Sequence, residues 1–392
     1  MKPLEGVTVL ALEQAVAAPF ATRQLADLGA RVIKIERPKV GDFARSYDKT
    51  VKGQSSHFIW LNRSKESLTI DLKHSSALEI LDRLIGKIDV FIQNLAPGAV
   101  ERLGLSNDRL KKINPNLIIC NISGYGSDGP YSLKKAYDLL IQCESGVMSV
   151  TGTEETPSKA GISIADIAAG MYSYSGILTA LYQKERNGKG SILEVSMLEA
   201  LGEWMGFPAY FTHYGGDAPP RTGASHATIF PYGPFLAGDK KSIFLGIQNE
   251  REWRLFCAEV LEDPKIADDK RFSSNSRRVS NKASLTCTID KVFSKLKASD
   301  ILERLDSAQI ANARLNSVDE FWNHPQLKAR KRWKKVDTPK GEVLSLIPPV
   351  TMDKVTPVMN PIPSLGSHTE RILVELGFTK DFVKQLYKDG AI

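Results

Sequence analysis

Asp166 stands in the string IADIAAG, a carboxylate among small apolar residues at the start of a stretch with helical spacing. An aspartate in the first turn of a helix accepts backbone N–H bonds and suits the positive end of the dipole. Such donors would hold the carboxylate ionised and aimed, so a structural cap and a covalent nucleophile are compatible readings of this position. A second set comprises Arg37, Lys73, Arg102 and the run Lys135-Ala136-Tyr137-Asp138, most of them in or just after a strand-to-helix loop. Taken singly, each reads as a surface residue. Gathered on one rim, they would form a site for phosphates, which guanidinium and ammonium groups hold by charge-assisted hydrogen bonds.

Other chemistries find less support. Gly124-x-Gly126-x-x-Gly129 has the spacing of a dinucleotide fingerprint, but Pro130-Tyr131-Ser132 follows where a helix should open. Gly161-Ile-Ser163-Ile-Ala165 lacks the second glycine of a serine-nucleophile elbow. The failed fingerprint leaves no nicotinamide or flavin expected, and the six histidines show no metal-ligand spacing, so no metal is expected. His226, beside Ser225 in a Gly/Pro-rich loop, reads as a substrate contact or a turn residue. Lys328 to Lys335 carries six positive charges in eight residues, which reads as a solvated face or as a nucleic-acid footprint.

The elements that must position these groups alternate. Val7 to Leu12, Arg31 to Glu36, Leu68 to Leu72, Val90 to Asn94, Leu117 to Ser123 and Ile192 to Ser196 read as strands, with RVIKIE alternating in period two. Helical spacing fills Ala15 to Gly29, Ser75 to Ile88, Asn107 to Asn114, Asp166 to Arg186 and Leu198 to His213. Strands alternating with helices predict an α/β fold with a parallel sheet, whose ligands bind beyond the carboxyl ends of the strands. The texture changes at Gly215 to His226, a Gly/Pro-rich connection that predicts a domain boundary. Residues 228 to about 325 read as a smaller α+β unit. Six prolines between Pro339 and Pro363 predict an extended crossing segment, and His368 to Leu386 returns to helical spacing.

The chain has 392 residues, a formal charge of +7, 42% hydrophobic and 25% charged residues. That composition excludes disordered and collagen-like classes, and the length predicts two domains. The positive excess favours anionic ligands but is too dilute to imply nucleic acid. Four scattered cysteines read as free thiols. The N-terminal segment lacks a secretory layout and no long apolar run occurs, so a cytoplasmic protein without a membrane span is expected.

Several ordered motifs together resemble the class III CoA-transferase family, also called CaiB/BaiF or formyl-CoA transferase-like. They are the opening LEGVTVLALEQAVAAPFATRQLADLGARVIKIERPKVGDFAR, the block SLTIDLK, then QNLAPGAVERLGL, SGYGSDGPY and ADIAAGMYSYSGILTAL. The resemblance implies a Rossmann-like large domain (1–215 plus 335–392), a small domain (225–330) and an interlocked homodimer. It implies CoA as substrate, held by Gln14, Ala15, Arg37, Ile70, Asp71, Leu72, Lys73, Asn94, Leu95, Ala96, Arg102, Lys135, Ala136, Tyr137 and Asp138. Asp166 becomes the nucleophile, and Gln14, Tyr137, Ser225 and His226 become substrate contacts. Leu95-Ala96 departs from the family's aromatic-Arg pair. The string Thr222 to His226 is more similar to the branch that acts on dicarboxylates such as succinyl-, mesaconyl-, itaconyl-, citramalyl- or glutaryl-CoA. An α-methylacyl-CoA racemase shares the fold, but its histidine is replaced by Tyr137, a poor base at neutral pH.

Overall fold

Six strands form one wholly parallel sheet in the order β3-β2-β1-β4-β5-β6 in the computed structural model, which describes residues 2–392. They are β1 (Thr8–Leu12), β2 (Arg31–Glu36), β3 (Lys65–Thr69), β4 (Val90–Gln93), β5 (Ile118–Ser123) and β6 (Ile192–Ser196). This is the doubly wound order, whose direction reverses between β1 and β4. The crevice outside the carboxyl ends of those two strands is therefore the first place to seek a ligand.

Consecutive residues of the central strands are buried, among them Val9 to Leu12, Val32 to Glu36 and Val90 to Gln93. Burial of both faces requires cover on both sides. The alternation of RVIKIE predicts one wet face for β2. Instead Lys34 and Glu36 are as buried as Ile33 and Ile35, because charged partners described below neutralise them. Leu10, Ile33, Ile35, Phe91 and Ile119 share one core with α2 (Ala77–Ile85) and with the C-terminal helices Thr369–Glu375 and Lys380–Lys388. Each such side chain contributes roughly 1.5–3 kcal/mol of hydrophobic burial. The C-terminal segment is also tied by hydrogen bonds: Thr69 N–H donates to Thr369 Oγ1 at 2.9 Å and Ser67 N–H to His368 Nδ1 at 3.1 Å.

Chain contacts divide the molecule into a larger unit, ending first at Ser145 and resuming over Ala160–Met205 and Gln326–Ile392, and a smaller one over Gly146–Lys159 and Gly206–Pro325. The smaller unit thus takes in residues 146–159 and the helix before the Gly/Pro-rich connection. Its sheet joins Tyr232–Leu236, Ser242–Gly246 and Ala311–Arg314, all antiparallel, over a core that includes Trp253, Phe256, Leu285 and Phe293. The strand Ala311–Arg314 is four residues long and mostly exposed, too short a pattern to mark it from sequence.

Several boundaries differ from the sequence expectation. The third strand ends at Thr69, which leaves Ile70 to Lys73 as a loop. Helix α1 (Ala17–Asp27) starts two residues late, because Ala15 adopts a left-handed conformation at φ +60°. The stretch expected as one helix from Leu198 is two, Met197–Trp204 and Gly206–Gly215. Most of the basic run is solvent-exposed, and its end forms a strand: Trp333–Val336 pairs antiparallel with Val343–Leu346, which lies in the proline-rich segment. Arg332 there bonds the carbonyls of Ile347 and Pro348, and Lys335 pairs with Glu342 at 2.9 Å.

Candidate active site

The loop after β1 is pinned to the loop after β4 across the switch point. Gln14 N–H donates to Asn94 Oδ1 at 2.8 Å, and Asn94 Nδ2 donates back to the Gln14 carbonyl at 2.9 Å. Ala15 N–H donates to Asp42 Oδ1 at 3.0 Å. Gln14, Ala15 and Asn94 are therefore brought together as the sequence expects.

A buried ionic cluster anchors this turn. Asp42 Oδ2 meets Lys34 Nζ at 2.7 Å, and Lys34 also reaches Glu13 at 3.2 Å. Glu13 pairs with Lys65 at 2.7 Å and accepts from Thr22 at 2.6 Å. Glu36 is gripped by Arg45 through bonds of 2.8 and 2.7 Å and by Ser67 at 2.6 Å. Three acids and three bases make the cluster neutral, which is the condition for keeping charges out of water. Burial opposes ionisation of Glu13, Glu36 and Asp42, yet the adjacent cations hold all three below the usual carboxylate range. Burial likewise disfavours charge on Lys34, but Asp42, Glu13 and Glu36 outweigh it and raise its pKa. Sequence reasoning missed this cluster. Its one local signal was a lysine and a glutamate inside an otherwise apolar central strand.

The four cations expected on the rim lie after successive strands: Arg37 after β2, Lys73 after β3, Arg102 after β4 and Lys135 after β5. All four are exposed, and none forms an ion pair among the described residues. Lys134, next to Lys135, is paired by contrast with Glu144. Arg37 rests 4.9 Å above the Phe43 ring, and Arg102 donates to the Pro97 carbonyl at 3.5 Å. Asp71 Oδ1 accepts from Lys73 N–H at 3.0 Å and so shapes its turn. Ala96 is exposed, whereas Leu95 and Leu72 pack partly against the core. The Ile70 side chain is buried, so only its backbone could face a ligand. Gly124 clears the way for Ala136, which a Cβ at that glycine would overlap.

Asp166 lies in the first turn of the helix Ile164–Asn187, which follows the helix Asp138–Glu144 in the larger unit. The expectation that helix donors bind its carboxylate is corrected. Asp138 caps the helix instead: its Oδ1 accepts from Ala165 N–H at 2.8 Å and Asp166 N–H at 3.3 Å, while its Oδ2 accepts from Gln142 at 2.8 Å. Among the described residues the Asp166 carboxylate accepts no hydrogen bond. Burial, and next the charge of Asp138, push its pKa up to about 7. Strong perturbation by desolvation plus a specific neighbour marks a group arranged for reaction.

Gly170, one turn beyond Asp166 on the same helix face, sets the position of that helix against α1. A Cβ there would stand 2.7 Å from the Ala17 carbonyl oxygen and 3.1 Å from Phe20 Cβ. Asp166 is thereby carried to the region where α1 begins, just after Gln14 and Ala15. Tyr47, also missed from sequence, joins this region. Its hydroxyl pKa is raised, first by burial and then by Asp42, Asp166 and Tyr137. Tyr137 itself is 74% exposed.

Ser225 and His226 belong to the smaller unit, where both are engaged locally. His226 stacks on Tyr232 at 5.1 Å, its N–H donates to the Tyr232 carbonyl and its Nδ1 accepts from Thr228 N–H. Ser225 N–H donates to the Thr222 carbonyl at 3.1 Å.

A family model described as CoA-transferase family III matches residues 4–369. The chain belongs to that family. Among relatives of this family III CoA-transferase is a succinyl-CoA:glutarate CoA-transferase of Mus musculus, 32% identical over all of this chain and 91% of the other. An acetyl-CoA:oxalate CoA-transferase of Acetobacter aceti is 36% identical, with 84% of each chain covered. A CaiB/BaiF family protein from Brucella suis has a solved structure with a TM-score of 0.84 and 32% identity, covering 96% of this chain and 99% of that one. The enzyme thus uses CoA as a substrate. Among the described residues no group of three or more His, Cys, Asp and Glu could hold a metal, and no helix is long and apolar enough to cross a membrane.

Proposed function

We propose that this CoA-transferase moves CoA from a dicarboxylyl-CoA, of which succinyl-CoA is the simplest, to a free dicarboxylic acid through Asp166. The observation that carries the reading is a partly desolvated carboxylate with no hydrogen-bond partner, in the unit whose rim carries four unpaired cations. Arg37, Lys73, Arg102 and Lys135 suit the phosphates of CoA. The full-length likeness to a succinyl-CoA:glutarate CoA-transferase supports the dicarboxylate class.

The ionised Asp166 oxygen attacks the thioester carbonyl, the C–S bond breaks, and CoA leaves as thiolate from a mixed anhydride. Thiolate then attacks the aspartyl carbonyl, which frees the donor acid and leaves an aspartyl-CoA thioester. The acceptor carboxylate attacks that thioester and expels thiolate again. Thiolate attack on the acceptor acyl carbon completes the product and restores the Asp166 carboxylate. Each step exchanges one activated acyl species for another, so activation is kept. A carboxylate held by no internal donor is the stronger nucleophile, and its pKa near neutrality keeps a substantial ionised fraction at pH 7. Tyr47 and Tyr137 bear on substrate placement.

We further propose that it works as a homodimer. Support comes from the helix Gly206–Gly215, which has no buried residue and presents Phe207, Tyr210, Phe211 and Tyr214. The test of function is mass spectrometry of CoA esters after incubation with succinyl-CoA and a panel of dicarboxylic acids. New dicarboxylyl-CoA products that vanish with Asp166→Ala, while CoA still binds, are expected. Full transfer by that variant would sink the mechanism.

A further inference from the structure

Phe43 opens a 3₁₀ turn, Phe43–Ser46, capped by Asp42. Its backbone N–H donates to Gln14 Oε1 at 3.2 Å. Only the oxygen end of a side-chain amide accepts such a bond, so this donor decides which way the amide faces. The other end, Gln14 Nε2, has no partner among the described residues. Gln14 is only partly buried, and its main chain is already held on both sides by Asn94. Asp42 accepts from Ala15 and Ala44 N–H and pairs with Lys34, so the segment bearing the Phe43 N–H is anchored in the buried cluster.

We infer that Phe43 is a positioning residue: its N–H turns the Gln14 amide so that Nε2 is presented to the ligand as a hydrogen-bond donor, with the Lys34–Asp42 pair as the rigid support. A donor is the group that a thioester or anhydride carbonyl oxygen requires as negative charge develops on it. The ring does a second, separable job. It lies under the Arg37 guanidinium at 4.9 Å and steadies a cation of the phosphate rim. The inference rests on the transferase reading above and names how one of its residues is aimed.

Backbone and ring are separable by substitution. Proline removes the N–H, and the site accepts it: Phe43 is the first residue of its turn, and Asp42 at φ −68°, ψ 141° has the extended conformation that precedes proline. Alanine removes the ring alone. Loss of one neutral hydrogen bond corresponds to about a fivefold effect. The experiment compares Phe43→Pro with Phe43→Ala for succinyl-CoA-dependent transfer, in wild-type and Gln14→Ala backgrounds. Phe43→Pro is expected to have about fivefold lower kcat than Phe43→Ala at similar KM for the CoA ester. In the Gln14→Ala background that difference should disappear. Equal activity of the two in the wild-type background, or a difference that persists without Gln14, overturns the inference. Gln14→Glu serves if the proline variant does not fold, because its carboxylate still accepts the Phe43 N–H but presents no donor. It should be as impaired as Gln14→Ala, and retained activity would overturn the inference. An inactive wild type would instead count against the transferase reading.

Discussion

The desolvated carboxylate of Asp166 has a thermodynamic consequence separate from catalysis. Burial and Asp138 raise its pKa from an ordinary 3.8 to about 7. Each pKa unit corresponds to about 1.4 kcal/mol, so the ionised form costs the folded state up to roughly 4 kcal/mol. That figure is an upper bound, because the side chain is partly exposed and solvent screens it. The folded protein binds this proton more tightly than the unfolded chain, so the group's contribution to stability falls as pH rises from about 4 through 7. Asp166→Asn keeps the shape and removes the charge. Urea unfolding at several pH values should therefore show the variant more stable than wild type by about 2–4 kcal/mol at pH 8.5, with the gap narrowing to roughly 1.5 kcal/mol at pH 5. Such a gain at the cost of activity is the signature of a site held in a strained electrostatic state. A variant no more stable than wild type at pH 8.5, or a gap independent of pH, would refute the claim that Asp166 is desolvated.

Lys34→Met should destabilise the fold by about 3–5 kcal/mol, since it leaves buried Asp42 without its cation and Glu13 with Lys65 alone, as a denaturation midpoint would show. Gly170→Ala gains about 1 kcal/mol of helix propensity but forces the helix off the Ala17 carbonyl; about a tenfold loss of kcat/KM is expected, checked by steady-state kinetics. Arg37→Ala and Lys135→Ala should each raise the KM for the CoA ester several-fold and flatten its dependence on ionic strength, whereas substitution of the paired Lys134 should do less.

The parts of the site legible from sequence were those carried by local pattern. Short apolar strands revealed the parallel sheet, and the loops that follow them hold Gln14, Arg37, Lys73, Asn94 and Lys135. Asp166 stood out as an acid in a small apolar segment. What stayed hidden depends on residues distant in the chain. Lys34 and Glu36 look like the wet face of a strand until Glu13, Asp42, Arg45 and Lys65 arrive to neutralise them. The cap of the Asp166 helix comes from Asp138, twenty-eight residues earlier, which reverses the expected effect on the Asp166 carboxylate from donor-stabilised to desolvated. The orientation of Gln14 is set by a backbone N–H, which carries no sequence signal at all. The hairpin Trp333–Val336 with Val343–Leu346 was obscured by lysines and prolines that place its outward face in solvent.

The central claim is that Asp166 forms a covalent bond to the transferred group. The most direct measurement is peptide mass spectrometry after incubation with succinyl-CoA and acid quenching, with hydroxylamine trapping in parallel. The expected result is CoA thioester or hydroxamate on the peptide containing Asp166, at a substantial fraction of sites and absent from Asp166→Asn. Full turnover with an unmodified Asp166 peptide, or the adduct on another residue, would contradict it.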